Sequence, residues 1–113
     1  MLKSKVIQSH TPELNDGISC SADEVVAFER RDTSYPGWIW CTDDQGRQAW
    51  VPEAYVSISG ESCRFVRDYI SKELEIQEGE TVSIVEVVSG WARVLNERDE
   101  KGWVPFECLA PSD

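Results

Sequence analysis

The chain has 113 residues, of which 41% are hydrophobic and 28% charged, so its composition is that of a globular protein and not of a disordered, collagen-like or coiled-coil one. Eleven basic and 21 acidic residues give a formal net charge of −10, which repels nucleic acid and anionic membrane surfaces and favours basic partners. The longest apolar runs are only a few residues long, so none of them predicts a membrane span.

Taken in chain order, the predicted elements are short strands joined by tight turns. Alternating or β-branched stretches indicate the strands, and no window shows a helical stripe. The signals run through Val25–Phe28, Trp38–Cys41, the turn at Thr42–Gly46, Trp50–Pro52, Leu74–Ile76, Val82–Val88, Trp91–Leu95 and Gly102–Pro105. Short strands with hairpin turns predict a small antiparallel barrel or sandwich.

An internal repeat organises these elements. Gly37-Trp38 recurs as Gly90-Trp91, and Trp50-Val51-Pro52 recurs as Trp103-Val104-Pro105, both displaced by 53 residues. Tryptophan is rare, so chance does not account for two copies of this spacing. The chain is therefore two copies of one unit of roughly 55 residues, near the smallest size at which a single-core domain folds alone.

The repeat sets the predicted domain boundaries. We predict a first domain at residues 1–57 and a second at residues 62–113. A short polar linker, 58–61, joins them and leaves the two domains little freedom.

Several motifs of the chain resemble those of Src-homology-3 (SH3) domains. The resemblance is carried by the diverging-turn pattern of residues 73–84, by Gly90-Trp91, by Gly102–Pro105 with Cys108-Leu109, and by Phe65–Tyr69 at the place of the family's tyrosine motif. The first repeat matches at Trp38, Pro52 and Tyr55-Val56, with Val6–His10 in place of the tyrosine motif. The chain thus resembles two tandem SH3 domains of the variant, bacterial type, and the fold class implied is all-β, with two small five-stranded, partly open barrels.

The resemblance also implies a binding groove lined by aromatic side chains on each barrel. A polyproline II peptide is already extended, so its docking between aromatic rings costs little ordering entropy. Acidic loop residues would pair with a basic residue of the ligand. The candidate ligand-binding residues are Trp38, Pro52, Tyr55, His10, Glu13 and Asp16 in the first repeat, and Tyr69, Trp91, Pro105 and Glu73 in the second.

These residues also have structural interpretations. Trp38 and Trp91 either contact a ligand or close the mouth of the barrel, and the acidic loops are either a recognition surface or a solvated face. Neither groove is complete, because Gln8, His10 and Arg67 replace tyrosines of the family motif. A proline-rich or basic peptide or protein is the expected partner. The alternatives are a cell-wall (peptidoglycan) binding module and a purely structural or oligomerisation unit whose grooves are occupied internally.

The sequence predicts neither an enzyme nor a cofactor or metal site. Cys20, Cys41, Cys63 and Cys108 form no CxxC or CxH pair, which argues against zinc. His10 is the single histidine and no nucleophile motif accompanies it. Residues 1–17 show no export signal, so we expect a cytoplasmic protein with reduced, buried thiols.

Overall fold

A computed structural model of the chain describes residues 2–12, 17–32 and 36–110. These residues form strands and two 3₁₀ turns, without an α-helix among them. In chain order the strands are β1 (Leu2–Lys5), β2 (Ser19–Cys20), β3 (Val25–Glu29), β4 (Trp38–Thr42), β5 (Gln48–Pro52), β6 (Val56–Ser59), β7 (Ser62–Phe65), β8 (Tyr69–Ile70), β9 (Thr81–Val88), β10 (Trp91–Leu95) and β11 (Lys101–Pro105). The 3₁₀ turns are Glu53–Tyr55 and Phe106–Cys108.

The strands belong to two compact units. One, the continuous unit, is Asn15–Ser71, and the other, the split unit, combines Met1–Leu14 with Lys72–Asp113. The predicted all-β, SH3-like fold is confirmed, and the described strands form open sheets rather than closed barrels. The predicted boundaries, 1–57 and 62–113, follow the sequence repeats, and each compact unit takes residues from both repeats.

The continuous unit contains a five-stranded antiparallel sheet in the order β5-β4-β3-β7-β6 and the two-stranded ribbon β2-β8. Alternation between core and solvent is most regular in β7, where Cys63 and Phe65 are buried and Ser62 and Arg64 are exposed. The buried side chains of this unit include Ile18, Cys20, Val26, Ile39, Cys41, Ala49, Val51, Cys63 and Phe65. These apolar positions fix the register of the sheet, because a slip by one residue would turn them outward.

The split unit contains a four-stranded antiparallel sheet in the order β1-β9-β10-β11. Its core consists of Val6, Leu74, Ile76, Val82, Ala92, Val94, Val104, Cys108 and Leu109, with Ile84 packed against them. The segment before β9 runs along β11 through a parallel bridge between Glu73 and Trp103. Gly102 faces this segment, and a Cβ on Gly102 would lie 2.8 Å from the Cβ of Leu74.

Each unit receives its first strand from the other sequence repeat. Strand β7 is the first strand of the second repeat, yet it lies between β3 and β6 of the first repeat. Strand β1 is the first strand of the first repeat, yet it pairs with β9 of the second repeat. The two pairings have the same register, since Lys5 faces Thr81 in the split unit as Arg64 faces Val25 in the continuous unit.

The turn between β6 and β7 explains this exchange. Residues 58–61, predicted as a linker, form the end of β6 and a two-residue turn that joins the paired residues Ser59 and Ser62. Gly60 has a φ of 60°, a left-handed conformation that glycine adopts without steric cost. Because a two-residue turn makes consecutive strands antiparallel neighbours, β7 occupies the place beside β6.

The hairpin tips of the two units are built alike. In each, a buried Asx side chain accepts hydrogen bonds from the backbone N–H groups two and four residues further on, which closes the turn. Asp43 Oδ1 accepts from Gln45 (3.0 Å) and Arg47 (2.8 Å), and Asn96 Oδ1 accepts from Arg98 (2.9 Å) and Glu100 (2.9 Å). Asp43 therefore closes the turn predicted at Thr42–Gly46.

Candidate functional site

The split unit presents an aromatic face made of His10, Glu73, Trp91 and Pro105. Trp91 begins β10 after Gly90, whose φ is 88°, and it pairs across the ladder with Pro105 of β11. The imidazole of His10 meets the indole of Trp91 edge-on, with ring centroids 5.7 Å apart and an interplanar angle of 84°. Nε2 of His10 lies 2.8 Å from Oε1 of Glu73. An indole, an imidazole and a carboxylate therefore form one connected group.

The backbone holds this group in place. The peptide groups of His10 and Ile76 exchange two hydrogen bonds of 3.0 Å, and Glu73 is bridged to Trp103 of β11. His10, Glu73 and Trp91 are partly exposed, whereas Pro105 is buried. The face thus offers solvent an aromatic edge beside a carboxylate, that is, an apolar surface next to a negative charge.

The matching face of the continuous unit is largely closed. It comprises Trp38, Pro52, Tyr55, Tyr69 and Arg67. Trp38 pairs across the ladder with Pro52, and the rings of Tyr55 and Tyr69 meet edge-on at 5.2 Å. Only 8% of Trp38, 2% of Tyr55 and 3% of Tyr69 are exposed. The guanidinium of Arg67 lies 4.1 Å from the ring centroid of Tyr55, a cation–π contact that covers this tyrosine.

Tyr69 is anchored in the interior of the continuous unit. Its hydroxyl donates a hydrogen bond of 2.8 Å to the backbone carbonyl of Trp50. Its ring stacks on that of Phe65 at 5.9 Å with an interplanar angle of 15°. Its backbone pairs with Cys20 in the β2-β8 ribbon. Tyr69 is therefore held by its hydroxyl, its ring and its backbone, and little of its side chain remains for a ligand.

Comparison with known families identifies both sequence repeats. The family model described as variant SH3 domain matches residues 3–59 and again residues 62–112. The chain belongs to the variant SH3 domain family. SH3-type domains are generally protein-interaction modules and typically non-catalytic. No curated protein and no solved structure matches the chain.

The exchange of first strands regroups the predicted site residues of the two SH3 repeats. Trp38 stays with Pro52 and Trp91 stays with Pro105, as the repeat predicts. His10 was expected beside Trp38 and Tyr69 beside Trp91, but His10 lies at Trp91 and Tyr69 lies at Tyr55. These two expectations assumed that each repeat keeps its own tyrosine motif. Glu13 and Asp16 lie outside the described residues. That any of these residues binds a ligand stays a prediction.

Two contacts in this SH3 chain had no signal in the sequence. Arg67 was noted only as the replacement of a tyrosine of the family motif, and its position over Tyr55 follows from the strand exchange. On β4 and β5, the paired rings of Trp40 and Trp50 meet at 5.3 Å, and the guanidinium of Arg31 lies 4.7 Å from Trp40. Trp50 thus packs against Trp40 on the neighbouring strand.

The cysteines behave as small buried side chains. All four are buried and unlinked. Burial, followed by the neighbouring Glu24, raises the pKa of the Cys20 thiol to about 12, and burial also raises the pKa of Cys41, Cys63 and Cys108. Such thiols stay protonated at neutral pH and are poor nucleophiles. Cys20 belongs to the continuous unit and His10 to the split unit, so the two do not share a unit.

Long apolar helices are absent from the described part of the chain, where no helix meets the length and hydropathy that crossing a membrane requires.

Proposed function

We propose that this chain is a non-catalytic module that binds a peptide segment of a partner protein at the aromatic face of the split unit. The observation that carries this proposal is the connected group of Trp91, His10 and Glu73, which is partly exposed and held by backbone pairing. Trp91 supplies a flat apolar surface against which a proline ring packs. Glu73 supplies a negative charge next to that surface.

The ligand is a polyproline II peptide that carries a basic residue. An extended peptide loses little entropy on docking, which suits a shallow face with few deep pockets. The net charge of −10 steers basic peptides toward the chain and repels acidic ones. Because charge pairing at a partly exposed site is screened, binding weakens as salt is added.

The continuous unit has a different role in this proposal, that of a structural support. Its Tyr55 and Tyr69 are buried, and Arg67 of the same unit already places a guanidinium over Tyr55. This arrangement supports the interpretation of a groove that is occupied internally. An external cation could reach Tyr55 only if the Arg67 side chain moved away.

A titration followed by ¹H–¹⁵N NMR tests the proposal. The probe is a proline-rich peptide with one arginine, and a second peptide carries glutamate in place of that arginine. We expect the arginine peptide to shift the resonances of residues around Trp91 and His10, and the glutamate peptide to bind at least several-fold more weakly. Trp91→Ala abolishes the shifts, whereas Leu2→Ala, which truncates an exposed side chain of the same unit, leaves them unchanged.

The same titration examines the continuous unit. In the unmodified chain, resonances of the residues around Tyr55 should not move. In Arg67→Ala, the Tyr55 ring loses the guanidinium that covers it, and the arginine peptide should shift resonances in this unit as well. Binding centred on Tyr55 in the unmodified chain, or shifts that survive Trp91→Ala, would contradict the proposal.

A further inference from the structure

We propose that the bodies that fold independently in this chain are the two mixed units and not the two sequence repeats. In this arrangement the continuous unit is inserted into the split unit, and the first strand of each repeat completes the fold of the other. Neither repeat taken as a contiguous segment contains a complete core. The inference does not rest on the proposed function, since it concerns folding alone.

The first argument is the way the exchanged segments are buried. Val6 follows β1 and is 1% exposed, with the core of the split unit around it. Phe65 ends β7 and is fully buried in the continuous unit. Burial of an apolar side chain of this size stabilises a small core substantially. Each core therefore depends on a residue from the other repeat.

The second argument is the set of backbone hydrogen bonds around the N-terminal segment. The N–H of Val6 donates to Glu80 at 2.8 Å, that of Ile7 donates to Cys108 at 2.8 Å, and that of Ala110 donates to Lys5 at 2.8 Å. Further pairs join β1 to β9 and His10 to Ile76. The N-terminal segment thus bonds to both ends of the second repeat. Its loss would leave these backbone groups without their partners, which is costly in a folded core.

The third argument is that the turn at residues 60–61 leaves no alternative place for β7. Strands joined by two residues pair with each other, so β7 fills the position next to β6 that a first strand of the same repeat would otherwise take. The N-terminal strand then remains for the second repeat. The equal register of both pairings shows that either first strand fits the same position.

Hydrogen exchange on the full-length chain, read by mass spectrometry of its peptides, tests the inference with two variants. Val6→Asp places a carboxylate in the core of the split unit, and Phe65→Asp does so in the continuous unit. We expect Val6→Asp to remove the protection of β9, β10 and β11 while residues 17–71 stay protected. Phe65→Asp should remove the protection of residues 17–71 and spare β9, β10 and β11.

The neighbouring residues provide matched controls. Ile7→Asp and Val66→Asp introduce the same charge one position further along the chain, at exposed side chains, and both should leave the protection of either unit intact. The gentler variant Val6→Ala should speed the slowest amides of β9 to β11 by roughly 10- to 100-fold and leave those of residues 17–71 unchanged.

The opposite pattern would overturn the inference. If the contiguous repeats were the folding bodies, Val6→Asp and Val6→Ala would deprotect residues 17–57 and spare β9 to β11. Equal loss in both units with Val6→Ala would show one cooperative body and would also contradict independent folding. Unchanged protection in Val6→Asp would show that the N-terminal segment is dispensable, which contradicts it as well.

Discussion

The two aromatic faces of this chain are built on the same framework and differ in what they leave open. Both place a tryptophan opposite a proline across a strand pair, Trp38 with Pro52 and Trp91 with Pro105. In the continuous unit the tyrosines beside this pair are buried, and Arg67 lies over Tyr55. In the split unit, a partly exposed histidine and carboxylate stand near Trp91.

This difference shows that duplication of a fold does not duplicate the surface of side chains that the fold presents. The β4-β5 and β10-β11 ladders and the hairpin tips that join their strands match between the units, because backbone pairing and turn geometry determine them. The face depends on a few side chains of the first strand and its following loop, and here these come from the other repeat. One unit can therefore keep its face open while the other uses the matching residues for stability.

Replacement of the two matching tryptophans should give the largest difference in stability between the two units. Trp38→Ala removes a side chain that is 92% buried and should cost the continuous unit about 3–5 kcal/mol. Trp91→Ala removes a partly exposed ring and should cost the split unit roughly 1–2 kcal/mol. Hydrogen exchange resolved by unit measures both losses. Equal losses would show that Trp91 is as structural as Trp38.

Gly102→Ala should destabilise the split unit, because the added Cβ would lie 2.8 Å from the Cβ and 3.0 Å from the amide nitrogen of Leu74. Overpacking of this kind costs about 1–3 kcal/mol. The matching position of the continuous unit is Ala49, so Ala49→Gly is the reverse exchange, with an expected cost of only about 0.5–1 kcal/mol. Denaturation curves for both variants check the asymmetry. A neutral Gly102→Ala would mean that the 73–74 segment can move off β11.

Much of this framework could be predicted from the sequence. The repeated Gly-Trp and Trp-Val-Pro motifs are local patterns, and they fix a strand pair with an intervening turn whatever the rest of the chain does. They predicted the all-β class, the duplication and the pairs of Trp38 with Pro52 and of Trp91 with Pro105. Local hydrogen bonding and side-chain alternation determine such features, so a single sequence contains the necessary information.

The partner of each first strand could not be predicted in the same way. Val6, directly after β1, and Phe65, at the end of β7, are both buried, and each is followed by an exposed apolar residue, Ile7 or Val66, so both first strands fit either sheet. The choice depends on the turn at residues 60–61, whose short polar sequence also resembles a linker. The composition of each aromatic face follows from that choice, and this explains why His10 and Tyr69 were assigned to the wrong tryptophans.

A smaller effect is expected from Tyr69→Phe. Tyr69 occupies in the continuous unit the position that His10 occupies in the split unit. The variant keeps the stacking on Phe65 and removes the hydroxyl that donates to the carbonyl of Trp50. Loss of one such hydrogen bond should cost the continuous unit about 0.5–1.5 kcal/mol. Chemical denaturation measures it, with the split unit's exchange rates as internal control. Destabilisation of the split unit instead would contradict the placement of Tyr69.

The smallest expected effect concerns the acid stability of the hairpin tips. Burial alone would raise the pKa of Asp43, but hydrogen bonds from Arg47 and from the backbone outweigh it and hold that pKa below its usual value. A carboxyl with a lowered folded-state pKa stabilises the fold above its unfolded pKa of about 4, and this contribution is lost as the pH falls through the folded-state pKa. Asp43→Asn retains the acceptor oxygen, as Asn96 does in the split unit, and removes the titrating group. The melting temperature of the continuous unit should then fall less steeply below about pH 4 than in the unmodified chain. An unchanged acid dependence would show that other carboxylates govern it.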